Sequence, residues 1–252
     1  MNATVLHVIG VDPGSLAGFC RLEIGMAGST FGRPRIASLN TVELGHDAMA
    51  NTAHLSVVLR GCLHPGAISN GPGPVIGGVE IPFIARGNGK GHHGQDPILQ
   101  GRHVGQIEAA ACVHGIRLMA ISPATAKKSL TGHGRAGVKR ELGDTTASMR
   151  ARSKAAMVAH ARAMDGWAQA ALAIPSELPH LQAAADAVGI ALAAFGKFRE
   201  ELLLQRARPL VAPRAVPLRT EDGTPVQLGG IPVVVDPAVP PGTLELRKPV
   251  EP

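Results

Sequence analysis

The chain has 252 residues, of which 45% are hydrophobic and 17% charged, so it is long and apolar enough for a globular domain with a sizeable core. Lysine and arginine outnumber aspartate and glutamate by 25 to 19, and the net charge of +6 predicts a polyanionic partner. The composition excludes a largely disordered chain, and no apolar run approaches the roughly 20 residues of a membrane span. The amino terminus has no basic stretch before an apolar one, and the three cysteines are widely spaced, so we expect a cytoplasmic protein with reduced, buried cysteines.

The predicted elements begin with a β-meander. Residues 4–11, 17–25 and 35–44 have the composition of strands and are separated by turn signals. A rough helical stripe follows over 46–63. Residues 75–84 form a fourth predicted strand that is apolar on both faces, which is typical of a central position in a sheet.

Strands and helices alternate in the next part of the chain. We predict a helix over 97–114, a short strand over 117–121 and an alanine-rich helix from about Leu181 to Leu204. Alternation of this kind is typical of an α/β sheet with covering helices.

The composition changes after residue 204. Residues 205–252 hold ten of the 20 prolines and show no helical period, so we predict an extended tail with a short hairpin around 226–235. The predicted organisation is therefore one domain over 1–204 and a proline-rich tail over 205–252.

Basic charge is concentrated in residues 117–162, which carry ten basic residues against two acids. Within this segment, Lys127 and Lys128 precede a glycine-rich stretch that ends at Arg135. We interpret these residues as a flexible basic loop that follows nucleic-acid phosphates. An ordinary solvated surface is the alternative.

Three acidic residues stand in apolar surroundings, where a carboxylate is costly unless it is paired or binds a cation. Asp12 closes the first strand, Glu80 lies in the fourth, and Asp186 lies in the alanine-rich helix, with no lysine or arginine adjacent to any of them. Mg²⁺ or Mn²⁺ prefers such oxygen ligands, and two ions can hold the attacking and leaving oxygens of a phosphoryl transfer. Separate explanations exist, namely a turn former, an edge or interface residue and a first-turn helix residue, but one shared site accounts for all three acids.

The order of motifs resembles the RuvC family of Holliday junction resolvases, within the RNase H-like superfamily, and its phage-type members most. The matching segments cover about residues 5–200 in the family's order: GVDPGSLAGF, VEIPF, SPATAKKSLTGHGRA, SKAAM and AADAVGIALAA. The resemblance implies an RNase H-like α/β fold with a mixed five-stranded sheet flanked by helices. It also implies that Asp12, Glu80 and Asp186 bind Mg²⁺ or Mn²⁺ and are catalytic.

The resemblance implies DNA contacts as well. Phe83 would stack on or wedge between bases, and Lys128 and Lys154 would lie near the scissile phosphate, with Lys128 taking part in catalysis. Together with Lys127 and Arg135 from the basic segment, the predicted DNA-binding residues are Phe83, Lys127, Lys128, Arg135 and Lys154.

The chain departs from the family at one position of the site. The family usually has a fourth acid or a histidine one turn before the last aspartate, where this chain has Ala183. His180 and Glu177 lie nearby but out of register. Residues 138–152 look like an insertion, and the tail beyond 205 has no counterpart.

These observations predict a metal-dependent endonuclease that resolves Holliday junctions by two-metal phosphodiester hydrolysis. We expect a homodimer, because a four-way junction has near two-fold symmetry. One alternative is another RNase H-like nuclease, acting on branched DNA or RNA. The other is a non-catalytic junction-binding protein, which Ala183 favours because it replaces the fourth acid or histidine. An actin-like sugar-kinase ATPase also opens with an acidic strand turn, but it needs further glycine-rich phosphate motifs in a second lobe.

Overall fold

The computed structural model describes residues 4–27, 30–45, 47–63, 74–81, 97–133 and 144–207, together with four two-residue strands in the tail. Phe83, Arg135 and residues 138–143 lie outside the described residues, so their predicted roles are not addressed by the fold. The main elements are β1 (Thr4–Asp12), β2 (Leu16–Ala27), β3 (Thr30–Phe31), β4 (Arg35–Glu43), α1 (Ala48–Leu63), β5 (Val75–Glu80), α2 (Pro97–Val113), β6 (Leu118–Ile121), α3 (Pro123–Thr131), α4 (Thr146–Arg162), α5 (Trp167–Ala170) and α6 (Leu178–Ala207).

Five long strands form one mixed sheet in the order β4-β2-β1-β5-β6, and the two-residue β3 pairs with the end of β2. The β1–β2 and β2–β4 pairs are antiparallel, as the predicted meander requires, whereas β1, β5 and β6 are parallel. β5 lies between β1 and β6, in the central position that its apolar faces predict. The RNase H-like α/β fold is confirmed, with β3 as a sixth strand that was not predicted.

The sheet separates two hydrophobic cores, because successive strand residues point to opposite faces. On β1, Leu6 and Val8 belong to the core that includes α4 and α6. Ile9 and Val11 belong to the core that includes α1 and α2. Both faces of the sheet are therefore covered by helices.

Helix α6 lies directly on the backbone of the sheet. A methyl group added at Gly18 would come within 2.1 Å of the Ala183 carbonyl oxygen, and one added at Gly10 within 2.1 Å of the Ala187 carbonyl oxygen. The absence of a side chain at the two glycines thus permits the close approach of the helix.

By length and composition alone, α6 is able to cross a membrane over Leu178–Gln205, contrary to the expectation that no apolar stretch is long enough. In the structure, 67% of an 18-residue apolar window in this stretch is buried inside the protein. Its apolar character is therefore explained by packing on the sheet.

Helices α3 and α4 lie in the described part of the basic segment. The predicted flexible loop at Lys127 and Lys128 is wrong, since both residues lie on α3. Ser122 caps this helix by accepting a hydrogen bond from the Thr125 N–H, and Gly132 ends it with a left-handed φ of 78°.

The predicted insertion holds the start of α4. Thr145 and Ser148 form a capping box at this start, and Asp144 forms an ion pair with Arg152. At least residues 146–152 of the predicted insertion are therefore helical.

Two compact units divide the chain, Met1–Arg199 and Glu200–Pro252, with the boundary inside α6. In the second unit, Gln227–Leu228 pairs with Ile231–Pro232 in an antiparallel hairpin, within the region where the sequence predicts one.

The structure describes the side chains of two cysteines, Cys20 and Cys112, and both are thiols. Cys20 is buried, but Cys112 is exposed, so the prediction of buried cysteines is wrong for Cys112. The physical reason is that Cys112 lies on the outer side of α2, away from the core that α2 covers.

Candidate functional site

Two of the three acids end neighbouring parallel strands. Val11 pairs with Val79, so Asp12 and Glu80 are the adjacent last residues of β1 and β5 at one edge of the sheet. Gly10 faces α6, and the strand alternation places Asp12 on the same face. The same alternation places Glu80 there, because Gly78, two residues earlier, also faces α6. Because β5 lies between β1 and β6, the explanation of Glu80 as a residue of an outer strand is excluded.

The third acid reaches this edge on α6. Ala183 lies over Gly18 of β2, and Ala187 lies over Gly10 of β1. Asp186 precedes Ala187 and is thus carried to the part of the sheet that ends at Asp12. Since α6 begins at Leu178, Asp186 is more than two turns inside the helix, which excludes the explanation as a first-turn residue.

Electrostatic interactions join the three acids. Burial raises the pKa of Asp12 well above its usual value, and the charges of Asp186 and Glu80 raise it further. Burial and the charge of Asp186 raise the pKa of Glu80 to about 7. Burial also raises the pKa of Asp186, against the opposing charges of Lys154 and Lys127. The site therefore holds more negative charge than the described lysines balance.

The chemistry of these donors suits a hard cation. They are partly buried carboxylates, and within the described ranges no ion pair joins them to a basic side chain. Among the residues that the structure describes, no three His, Cys, Asp or Glu side chains form a group that could already hold a metal ion. The three acids thus fit Mg²⁺ or Mn²⁺ by donor type.

Two lysines face the carboxylates. The charge of Lys127, which is half-buried on α3, lowers the pKa of Glu80 and Asp186. The charge of Lys154, on α4, lowers the pKa of Asp12 and Asp186. Lys128 is exposed, because successive residues of a helix point about 100° apart. A role of Lys128 near the scissile phosphate stays a prediction, and Lys127 is the α3 lysine that the fold directs toward the acids.

Neither of the two residues considered as a fourth ligand lies with the acids. His180 Nδ1 is 2.8 Å from Thr41 Oγ1 on β4. Thr41 pairs with Gly18, which pairs with Asp12, so two strand spacings, roughly 10 Å in all, separate Thr41 from Asp12. Glu177 is exposed and precedes α6.

The sequence reading missed Gln182. Its Oε1 accepts a hydrogen bond of 3.3 Å from Lys154 Nζ. The available signal was its spacing, because a residue four positions before Asp186 lies on the same side of a helix, one turn away.

No protein-family model matches the chain, and no curated protein matches it significantly. Among solved structures, the chain is similar to Thermus thermophilus RuvC, with 21% identity and a TM-score of 0.49, over 77% of this chain and 96% of that one. It is also similar to T. thermophilus RuvC in complex with a Holliday junction substrate, with 19% identity and a TM-score of 0.46, over the same shares of the two chains. At such identities, function has to be inferred from the residues of this chain.

Proposed function

We propose that the protein is a metal-dependent endonuclease that cleaves branched DNA, with the four-way Holliday junction as its substrate. The observation that supports this proposal is the placement of Asp12, Glu80 and Asp186 at one sheet edge, where each is partly buried, Asp186 and Glu80 raise the pKa of Asp12, and Asp186 raises the pKa of Glu80. Three carboxylates held in this way on rigid elements are suited to divalent cations.

The chain's own residues would supply position and charge. Bound Mg²⁺ or Mn²⁺ would provide an activated water and neutralise charge on the leaving oxygen. Asp12 and Glu80, on adjacent strand ends, and Asp186, on the helix above, would hold the carboxylate oxygens at fixed places. Lys127 and Lys154 would place positive charge beside the phosphate, where charge develops during hydrolysis.

Binding to DNA would use mainly the phosphate backbone. Arg150 and Lys128 are exposed on neighbouring helices of the basic segment, and contacts of this kind give salt-dependent affinity with little sequence preference. We further propose that Phe83 and Arg135 add contacts near the crossover. A cytoplasmic homodimer would match the two-fold symmetry of the junction.

A second candidate function is junction binding without cleavage. Ala183 supports it, because that residue is packed against Gly18 and leaves no fourth acid or histidine at its position. The lack of a group of three metal-binding side chains among the described residues is consistent with the same function.

Cleavage of synthetic DNA distinguishes the candidates. In Mg²⁺, we expect nicks in a four-way junction and much slower nicking of a linear duplex of the same sequence. Asp186→Asn should abolish nicking and leave junction affinity within a few-fold, since it removes a cation ligand and keeps the phosphate contacts. Equal nicking of junction and duplex would refute junction selectivity, whereas binding without nicking in both Mg²⁺ and Mn²⁺ would establish the non-catalytic function.

A further inference from the structure

The lysine of α4 that faces the acids is held by a glutamine. Lys154 Nζ donates to Gln182 Oε1 at 3.3 Å, and both side chains are half-buried. Among the described residues, Lys154 has no other hydrogen bond and no ion pair within 4.0 Å, although its charge acts on Asp12 and Asp186. The ammonium group therefore lies beside the two carboxylates without contacting either of them.

Helix α6 places Gln182 within hydrogen-bond reach of Lys154. Gln182 lies one turn before Asp186 on the same side of the helix. The next residue, Ala183, packs on the backbone of Gly18 and has no polar side-chain group. Gln182 is thus the polar side chain that α6 presents to Lys154 immediately before the last acid.

We propose that Gln182 is a positioning residue, whose amide oxygen holds the Lys154 ammonium beside Asp12 and Asp186 and keeps it from pairing with either carboxylate. Lysine is flexible, and a partly buried unpaired carboxylate is a strong partner for it. Without the amide, the ammonium would move onto a carboxylate and compete with a cation for its oxygens.

A neutral acceptor is suited to this task. An ammonium group has three N–H donors, so the bond to Gln182 leaves two for the oxygens of a phosphate. A carboxylate at position 182 would neutralise Lys154 and repel the phosphate. The use of Lys154 at a DNA phosphate rests on the proposed function, whereas the positioning itself does not.

Side-chain NMR of the metal-free protein tests the contact without DNA. In ¹H–¹⁵N spectra of lysine ammonium groups, Lys154→Arg identifies the Lys154 signal. We expect Gln182→Met, which keeps a similar length and removes the acceptor, to shift or broaden this signal, and Gln182→Glu to preserve a hydrogen-bonded signal. The matched control is Gln106→Met, because Gln106 Oε1 also accepts a side-chain hydrogen bond, from Asn51 at 3.2 Å. A Lys154 signal that is the same in Gln182→Met and wild type would overturn the proposal.

Calorimetric titration with Mn²⁺ separates positioning from metal ligation. Gln182→Met should weaken Mn²⁺ binding by roughly tenfold, a coupling within the range of neighbouring residues, because Lys154 then occupies a carboxylate. Adding Lys154→Met should restore the affinity. Weak Mn²⁺ binding in the double variant would indicate that the Gln182 amide oxygen is itself a metal ligand. Unchanged Mn²⁺ affinity in Gln182→Met would indicate that other groups hold Lys154. Either result would overturn the proposal. If the wild type binds no Mn²⁺, the metal-dependent function fails, and the NMR result decides on the positioning alone.

Discussion

The raised pKa of Glu80 makes the stability of the metal-free protein depend on pH. Between the usual pKa of 4.5 and the folded value of about 7, the native state binds the proton of this carboxyl more tightly than the unfolded state. Stability should therefore be highest below this window and fall as the pH rises through it. Glu80→Gln removes the ionisation and keeps the shape of the side chain.

The expected magnitude follows from the shift. At roughly 1.4 kcal/mol for each pH unit, a rise from 4.5 to about 7 costs about 3 kcal/mol of folding free energy once Glu80 is ionised. The pKa values of Asp12 and Asp186 are raised as well, so they add losses of the same sign. Because the unfolded carboxyl is already partly ionised at pH 5, wild type should lose about 2.5 kcal/mol more than Glu80→Gln between about pH 5 and pH 8.

Urea unfolding with a chelator at the two pH values measures this difference. Glu108→Gln serves as the control, because Glu108 is an exposed glutamate on α2. It should lose as much stability as wild type. An equal loss in wild type and Glu80→Gln would refute the inference that Glu80 is held in a buried, negatively charged site.

Three further predictions concern the placement of the site. Millimolar Mg²⁺ at about pH 8 should raise the melting temperature of wild type and not of Asp186→Asn, because a cation bound to the native state stabilises it; equal shifts would place the cation elsewhere. Gly18→Ala should destabilise the protein by about 1–3 kcal/mol in urea unfolding, through its clash with α6, whereas Gly25→Ala on the same strand meets no atom within 4 Å and should not; equal effects would contradict the close helix packing. Lys127→Ala should slow single-turnover junction cleavage more than Lys128→Ala, and the reverse order would contradict the orientation of α3.

Much of the sheet could be predicted from local pattern. The strands have β-rich composition bounded by turn signals, and the apolar faces of β5 indicate its central position. Asp12 and Glu80 were recognisable because an acid in an apolar strand is costly. Their adjacency follows from one further fact, the parallel pairing of β1 with β5.

The missed features depend on interactions that sequence spacing does not reveal. The glycines after Thr131 favour a loop, whereas Ser122 caps a helix that runs to Thr131. The orientation of Lys127 toward the acids then follows only from the helix. Likewise, the contact of Ala183 with Gly18 and the hydrogen bond of Gln182 are set by packing between elements distant in the chain.

The most direct test of the central claim is a crystal structure of the protein grown with Mn²⁺, in which manganese is located by its anomalous scattering. We expect one or two manganese peaks bonded to carboxylate oxygens of Asp12, Glu80 and Asp186. Ordered manganese that avoids these three residues, or an empty site at saturating Mn²⁺, would contradict the proposal that they form the catalytic centre.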